Sequence, residues 1–214
     1  MAAARFAVGV MARAPVPGQA KTRLIPALGA EGAARLQRRL TLHALQTATA
    51  AAPGAVTLFT AGDPDHPLWT ACRRQLGVTI VAQHGDHLGE RMLHALQTLL
   101  RTHERAALTG TDCPLLEARH LAGLMAALGR ARMAFIPAED GGYVAVAARE
   151  PVAAAFGPLA WGTPAVMQQT RAALAGAGWR AGCDWCELPE LWDIDRPEDL
   201  TRAQRMGLPV GCVD

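Results

Sequence analysis

Residues 6–24 have the sequence FAVGVMARAPVPGQAKTRL, in which an apolar run is followed by a loop rich in proline and glycine. The apolar run predicts the first strand of the fold, and open α/β sheets bind their ligands in loops that follow strands. Lys and Arg total 21, and since Lys21 is the only lysine, the other 20 are arginines. The lysine of this loop therefore stands out in a chain that otherwise uses arginine for positive charge.

An ammonium group is a compact charge with freely rotating donors, whereas a guanidinium is a rigid fork. A tight loop that holds one phosphate oxygen can require the ammonium, so we predict that Lys21 contacts a phosphate. The alternative is a surface lysine with no special role. The loop differs from a P-loop, because Pro15 and Ala20 occupy positions where that motif has glycine.

The length of 214 residues and the hydrophobic content of 50% predict a single domain, residues 1–214, with a sizeable core. No apolar stretch approaches the roughly 20 residues of a membrane span, and the N-terminus lacks a signal peptide's features, so we expect a cytoplasmic protein. The net charge of +2 and the scattered arginines do not indicate nucleic-acid binding. Cys183 and Cys186 have C-x-x-C spacing but no second ligand pair, which favours coincidence over a zinc or redox site.

Short β-like runs alternate with longer helical stretches along most of the chain. The predicted strands are residues 6–11, 56–60, 78–82, 106–109 and 133–137, and the predicted helices are residues 32–52, 68–75, 88–101, 118–128, 164–174 and 197–206. This repeat predicts an α/β fold with a mainly parallel sheet flanked by helices. A run at residues 141–147, opened by a glycine pair, predicts a small antiparallel ribbon, and residues 179–188 are ambiguous between strand and loop.

Acidic residues occur in three loops at the predicted ligand-binding edge of this sheet. They are Asp112 in the loop 109–114, Asp140 in the loop 138–143, and Asp193 with Asp195 in the segment 192–200. Asp193 and Asp195 point to the same side if their segment is extended. Oxygen ligands from Asp112 and this pair suit a hard divalent ion that keeps several waters and bridges substrate phosphates.

Each carboxylate also has a purely structural interpretation. Asp112 and Asp195 can cap the helices that follow them, and Asp140 can form the turn before Gly141 and Gly142. The lysine loop and these carboxylates nevertheless meet at one edge of one sheet. Together they are what a site for a nucleotide and a metal requires.

Six segments of the chain resemble, in order, the motifs of a known family. They are residues 14–24, 88–92, 110–114, 137–143, 161–163 and 193–195. They are similar to those of the bacterial glycosyltransferase-like family associated with radical-SAM proteins, which belongs to the nucleotide-diphospho-sugar transferase superfamily. The resemblance spans almost the whole chain and implies a single-domain, Rossmann-like GT-A fold.

The resemblance implies a role for individual residues. The nucleotide phosphates would be held by Gly18, Lys21 and Arg23. Asp112 would bind either the ribose or the metal ion, which would be Mg or Mn, and the second metal ligand would be Asp193 or Asp195. The acceptor side would be lined by Asp140, Gly141, Gly142, Trp161 and Thr163. The chain departs from the family pattern at three places, one of which is the segment 144–148, where the usual bulkier apolar and glycine pattern is missing. Arg13 replaces the usual lysine, and His87 replaces an acidic residue before the segment 88–92.

The implied activity is transfer from a nucleotide or nucleotide-sugar donor to an unidentified acceptor. In glycosyl transfer a metal stabilises the departing diphosphate, and Asp140 would be the base of an inverting reaction. In nucleotidyl transfer a substrate phosphate expels pyrophosphate from a triphosphate, so a metal and a cationic clamp suffice. The loop 110–114 contains a single aspartate, which is similar to the pattern of the guanylyltransferases. The order of the motifs favours glycosyl transfer, and this is the reaction that we expect. A non-catalytic nucleotide-binding module is a third interpretation.

Overall fold

The computed structural model describes residues 6–208. The strands are β1 (Phe6–Arg13), β2 (Val56–Ala61), β3 (Thr79–Ala82), β4 (Arg105–Thr109), β5 (Met133–Pro137), β6 (Tyr143–Ala148) and β7 (Trp185–Glu187). The helices are α1 (Ile25–Ala51), α2 (Pro67–Leu76), α3 (Leu88–Leu100), α4 (Ala118–Ala127), α5 (Val166–Gly176) and α6 (Pro197–Arg205). Short 3₁₀ turns cover Thr22–Leu24 and Ala153–Phe156. The prediction that residues 1–214 form one domain extends beyond the described range and stays a prediction.

The seven strands within residues 6–208 join one sheet in the order β3-β2-β1-β4-β6-β5-β7. Four pairs of neighbouring strands are parallel: β1 with β2, β1 with β4, β2 with β3, and β5 with β7. Strand β6 is antiparallel to both of its neighbours, β4 and β5. The predicted fold class, a mainly parallel sheet with a small antiparallel part, is confirmed. Because β6 runs in the opposite direction, the residues before it lie at the same edge as those that follow β1, β2 and β4.

Two groups of helices flank the sheet. Helix α1 contacts α2 and α4, whereas α3 contacts β1, β4 and the turn at Ala153–Phe156, which also contacts α5. Within residues 6–208, no helix combines the length and the apolar character needed to cross a lipid bilayer.

Gly9 in β1 lets two large side chains fill the centre of the core. A Cβ at this position would overlap the side chains of Leu108 and Phe59, which are themselves almost completely buried. Protein interiors are packed as densely as organic crystals, so the core has no room for this added methyl group.

A second apolar cluster joins segments that are distant in sequence. It contains Leu24, Leu36, Leu40, Trp192, Ile194, Leu200 and Ala203, all of them buried. Leu24 follows the loop that carries Lys21, and Ile194 separates Asp193 from Asp195. The cluster therefore packs both segments that carry predicted site residues against helix α1.

Two predicted helix starts are wrong. Helix α1 begins at Ile25 rather than at residue 32, and Gly29, with a φ of 69°, separates its first residues from the helical repeat of residues 32–52 on which the prediction rested. Helix α5 begins at Val166 rather than at residue 164, because Pro164 belongs to the preceding turn. In the ambiguous segment 179–188, the structure contains the short strand β7.

Helix caps also differ from the expectations. Asp195 does not cap α6; the N-cap residue is Arg196, and Asp199 accepts hydrogen bonds from the backbone N–H groups of Asp195 and Arg196. Asp112 does not cap α4, whose N-cap residue is Glu117. His87, a departure from the family pattern, caps α3 by accepting a hydrogen bond from the Glu90 N–H at 3.3 Å.

Candidate active site

Two adjoining cavities lie at the edge of the sheet where β1, β2 and β4 end and β6 begins. The first, which we call the cleft, has a volume of about 520 Å³ and is bordered by the loop that contains Lys21. The second, which we call the pocket, has a volume of about 220 Å³ and is bordered by Asp140 and Trp161. Both are lined by Met11, Leu88, Gly110 and Asp112. Asp112 therefore stands at their boundary.

The cleft is rich in positive charge. Its charged lining residues are Arg13, Lys21, Arg23, Arg91, Asp112 and Asp195. The Arg23 side chain is 64% exposed and its Nη1 lies 3.6 Å from Asp195 Oδ2, a loose contact that leaves the guanidinium accessible. Four cations against two carboxylates leave an excess of positive charge, which suits a phosphate chain.

The pocket has the opposite charge. Asp112, Asp140 and Asp193 line it, and no lysine, arginine or histidine of the described residues does so. Most of the remaining wall is apolar or aromatic, with Tyr143 and Trp161 as the largest side chains. The pocket thus combines an acidic floor with an apolar wall.

The Lys21 ammonium group makes three contacts between the cleft and the second apolar cluster. Its Nζ donates to the Ile194 carbonyl oxygen at 2.5 Å and to Asp195 Oδ1 at 3.0 Å, and it lies 2.8 Å from Asp112 Oδ1. An ammonium has three donors, so these contacts use its full capacity. Burial lowers the pKa of Lys21, but the two carboxylates outweigh burial and the pKa is raised overall. The group therefore stays positively charged.

The backbone of Lys21 is in the left-handed region, with φ 47° and ψ 45°. Among the described residues it is the only non-glycine residue with a positive φ. Such a conformation costs of order 1–3 kcal/mol and persists only where surrounding contacts hold it. In this protein, the three contacts of the Lys21 ammonium group hold the backbone in this conformation.

Asp112 is held in place by a buried polar chain that sequence reasoning did not find. Gln37 Nε2 donates to Thr111 Oγ1 at 3.0 Å, and Thr111 Oγ1 donates to Asp112 Oδ1 at 3.1 Å. The Asp112 carbonyl oxygen also accepts a hydrogen bond from the Ile194 N–H at 2.8 Å. The available signal was Gln37 itself, the residue with the longest polar side chain on the buried face of α1, where Thr41 and Thr47 are also buried.

Asp193 is the least satisfied of the carboxylates. It lines the pocket, and no hydrogen-bond donor within the described residues contacts its side chain. Burial, followed by the like charges of Asp112 and Asp140, raises its pKa well above the usual range. Clustered carboxylates of this kind are relieved by a proton or by a cation.

Asp140 has one oxygen engaged by the backbone. Its Oδ1 accepts a hydrogen bond from the Gly142 N–H at 2.9 Å, so Asp140 does form the turn before β6. It also lines the pocket, so the structural and functional interpretations are compatible.

The residues present fit a divalent metal ion at the boundary of the two cavities. Asp112 and Asp193 offer carboxylate oxygens, the ligands that Mg and Mn prefer, and Asp193 has no donor from the described residues to satisfy it. Asp195 lies on the cleft side and is bound to Lys21. No group of three potential ligands in the described part of the chain is arranged for a metal, so water and substrate phosphates would complete the coordination.

Residues 157–164 form one wall of the pocket and rest on two glycines. A Cβ on Gly89 would overlap the Phe156 carbonyl oxygen and the Trp161 ring, and a Cβ on Gly141 would overlap the Pro164 backbone. The Trp161 indole N–H donates to the Gly157 carbonyl oxygen at 3.0 Å, and its ring lies edge-on to Tyr143. The close approach at both glycines fixes this wall.

The structure brings most of the predicted site residues together. Lys21, Arg23 and Asp195 line the cleft, Asp112 lines both cavities, and Asp140, Gly142, Trp161, Thr163 and Asp193 line the pocket. Gly18 and Gly141 line neither of these two cavities; both have a positive φ and serve the conformation of their loops. Cys113 lies beside Asp112, and burial raises its pKa to about 12, so its thiol stays protonated.

Several solved structures share this fold. A "putative nucleotide-diphospho-sugar transferase" from Desulfovibrio desulfuricans G20 is 28% identical, with a TM-score of 0.79 over 90% of this chain and 83% of that one. The 4-diphosphocytidyl-2C-methyl-D-erythritol synthase of Anaerococcus prevotii is 11% identical, with a TM-score of 0.60 over 94% and 97%. Glucosyl-3-phosphoglycerate synthase of Mycobacterium tuberculosis is 11% identical, with a TM-score of 0.53 over 96% and 81%. The last two show likeness of fold alone.

The sequence comparisons identify the family. No curated protein matches the chain significantly. Residues 44–163, more than half of the chain, match the bacterial family described as "Uncharacterized protein conserved in bacteria (DUF2064)". The chain therefore belongs to this family, and its fold is that of the nucleotide-diphospho-sugar transferases.

Proposed function

We propose that the protein is a metal-assisted glycosyltransferase that uses a nucleotide sugar as donor. The observation that carries this proposal is the division of charge between the two cavities: the cleft has four cations, whereas the pocket has three carboxylates. A nucleoside diphosphate requires the first environment, and an acceptor hydroxyl that must lose a proton requires the second. The name of the similar structure from Desulfovibrio desulfuricans supports the same class of donor.

The cleft residues hold the donor phosphates. Arg13, Arg23 and Arg91 present guanidinium groups to the cleft, and such groups bind phosphate oxygens in a bidentate manner. Lys21 adds its charge at the base of the cleft while it orients Asp112 and Asp195. Gly18 gives the loop the backbone conformation that its turn requires.

Asp112 and Asp193 would hold Mg or Mn. When bound, the ion supplies positive charge that stabilises the departing nucleoside diphosphate. The fold relative from Mycobacterium tuberculosis was crystallised with Mn²⁺ and uridine diphosphate, which supports the pairing of a metal with a nucleotide on this fold. Asp112 suits this role because it borders both the cleft and the pocket.

Asp140 accepts the proton of the acceptor hydroxyl. Only one of its oxygens is engaged by the described residues, in the hydrogen bond from the Gly142 N–H. The other oxygen is available to a substrate in the pocket, which Asp140 lines. A base at this place fits an inverting transfer.

Nucleotidyl transfer is the second candidate, because the loop 110–114 contains a single aspartate, as in the guanylyltransferases that the chain resembles. Its acceptor would be a phosphate. Even with a metal ion at Asp112 and Asp193, that phosphate would lie beside the Asp140 carboxylate in a pocket that no basic side chain of the described residues lines, which is unfavourable. The charge of the pocket therefore favours glycosyl transfer.

Donor binding is the first test of the proposal. Thermal unfolding is measured with a panel of nucleotide sugars and nucleoside triphosphates, in Mg²⁺, in Mn²⁺ and in chelator. A ligand at 100 times its Kd stabilises by about 2.7 kcal/mol. We expect a nucleotide sugar to raise the Tm, and to raise it further with metal; a panel without any stabilising nucleotide contradicts the proposal.

A cytoplasmic location and an association with radical-SAM proteins stay predictions.

A further inference from the structure

The walls of the pocket indicate what kind of acceptor it binds. With a volume of about 220 Å³ it is smaller than the pocket of a drug-sized ligand, which is about 300 Å³ or more. It therefore suits a molecule with a single ring or a chain of similar size. The acceptor must match both the apolar wall and the acidic floor.

The apolar wall suits a flat ring. Trp161 lies edge-on to Tyr143, with ring centroids 6.3 Å apart, and Tyr143 lies edge-on to Phe135. Met92 and Leu88 add flexible apolar surface. Aromatic rings and methionine sulfur pack favourably against other rings.

Within residues 6–208, the Tyr143 hydroxyl in this wall has one hydrogen-bond partner, and it is a weak one. Tyr143 Oη lies 3.8 Å from Met92 Sδ, and a thioether sulfur is a poor acceptor. Burial raises the pKa of Tyr143, so its hydroxyl keeps its proton and stays a donor. A ligand oxygen in the pocket would give this donor a better acceptor.

The acidic floor selects against anions. Asp112, Asp140 and Asp193 carry three carboxylates, and within the described residues no basic side chain lines the pocket. A divalent ion at Asp112 and Asp193 would neutralise these two carboxylates, and Lys21 also lies 2.8 Å from Asp112 Oδ1, so Asp140 is the carboxylate of the pocket without a cationic partner from the described residues. A phosphate or carboxylate on an acceptor placed beside Asp140 would therefore be repelled.

We propose that the acceptor is a hydroxyl-bearing compound with one ring or an equivalent apolar body, neutral or positively charged, and without a phosphate or carboxylate group. This inference rests on the proposed function, because it takes the pocket as the acceptor side of a glycosyltransferase. It goes further in that it excludes phosphorylated and acidic acceptors.

Three probes of the same shape test this inference directly. Tyramine, tyrosol and 4-hydroxyphenylacetate share one hydroxyphenyl ring, and their tails are positive, neutral and negative at pH 7.5. Ligand-observed NMR titrations are performed on the full chain with Mg²⁺ and uridine or guanosine diphosphate present. We expect tyramine and tyrosol to bind at least about tenfold more tightly than 4-hydroxyphenylacetate, because the charge difference acts at short range in a partly desolvated pocket.

Variants locate the binding in the pocket. Trp161→Ala should weaken tyramine and tyrosol alike, because it removes the aromatic wall. Asp140→Asn should weaken tyramine more than tyrosol, because it removes a carboxylate that lines the pocket and has no role in holding the metal. Glu150→Gln is the matched control, since Glu150 lies at the opposite edge of the sheet and pairs with Arg132. It should leave all three probes unchanged.

Equal or tighter binding of 4-hydroxyphenylacetate overturns the inference, as does the absence of any binding that Trp161→Ala weakens. Its failure is distinguishable from failure of the proposed function. If the probes show the expected order but no nucleotide binds the cleft, the proposed function is wrong and the selectivity of the pocket stands. If nucleotides bind and the order of the probes is reversed, only the nature of the acceptor is wrong.

Discussion

Lys21 combines a left-handed backbone, a buried side chain and three polar contacts, and no other non-glycine residue of the described chain shares its backbone conformation. Its identity as the only lysine made it detectable in the sequence. The sequence predicted that Asp112 and Asp195 lie at the same edge of the sheet as Lys21, but not that they contact its ammonium group, because both are distant in sequence and both had a cap as an alternative role. The contacts show that Lys21 organises the carboxylates as well as supplying charge to the cleft.

Replacement of Lys21 by methionine keeps the length of the side chain and removes the charge. The side chains of Asp112 and Asp195 are 41% and 35% exposed, so water can solvate them after the ammonium group is removed. We therefore expect the free energy of unfolding to decrease by about 1–3 kcal/mol. Because the three Nζ donors are already used, Lys21 acts on the nucleotide through its charge and through the position of Asp112, and nucleotide affinity should fall by roughly ten- to a hundredfold, or about 1.4–2.7 kcal/mol, in calorimetric titration. Arg74→Met, at an exposed site on α2, is the control and should change neither quantity. Unchanged affinity in Lys21→Met would show that Lys21 does not serve the cleft.

Replacement of Asp112 by asparagine tests the metal. The change keeps the size of the side chain and removes the charge, so the tightening of nucleotide binding by Mg²⁺ or Mn²⁺ should disappear while the fold survives. The measurement is nucleotide affinity with metal and with chelator, compared with the Glu150→Gln control. If the wild type binds equally well in chelator, the metal site is wrong.

At the scale of elements, the site depends on how loops are packed against helices. The segment 193–195 is anchored by Ile194 in the second apolar cluster, and the segment 157–164 is anchored on Gly89 and Gly141. The alternation of strands and helices was predictable because each short segment carries its own periodicity. The break of α1 at Gly29 and the packing around Gly89 were not, because they depend on contacts between distant parts of the chain.

Replacement of Gly89 by alanine tests the anchoring of the pocket wall. The added methyl group would overlap the backbone of Phe156, which cannot move as freely as a side chain, so we expect a loss of about 1–3 kcal/mol and a lower Tm. Tyrosol should bind more weakly, whereas nucleotide binding in the cleft should change little. Gly176→Ala, with open space around its Cβ at the end of α5, is the control and should keep or slightly raise the Tm. A Tm for Gly89→Ala equal to that of Gly176→Ala would contradict the described packing.

At the scale of the whole molecule, the sheet places opposite charges side by side. The parallel strands bring the loops after β1, β2 and β4 to one edge, and the antiparallel β6 adds Asp140 at the same edge. Both the fold class and the residues at this edge were predictable from strand ends and acidic loops. The separation into a basic cleft and an acidic pocket was not, because it depends on which side of Asp112 each side chain lies.

The products of the reaction test the central claim most directly. The protein is incubated with nucleotide sugars, nucleoside triphosphates, Mg²⁺ and the neutral small-molecule fraction of a bacterial extract, and the phosphorus-containing products are followed by ³¹P NMR. We predict release of a nucleoside diphosphate from a nucleotide sugar. We also predict that Asp140→Asn, which keeps the acceptor for the Gly142 N–H, slows this release by about a hundredfold and leaves donor affinity nearly unchanged. Release of pyrophosphate from a triphosphate, with no nucleoside diphosphate from any sugar donor, would contradict glycosyl transfer.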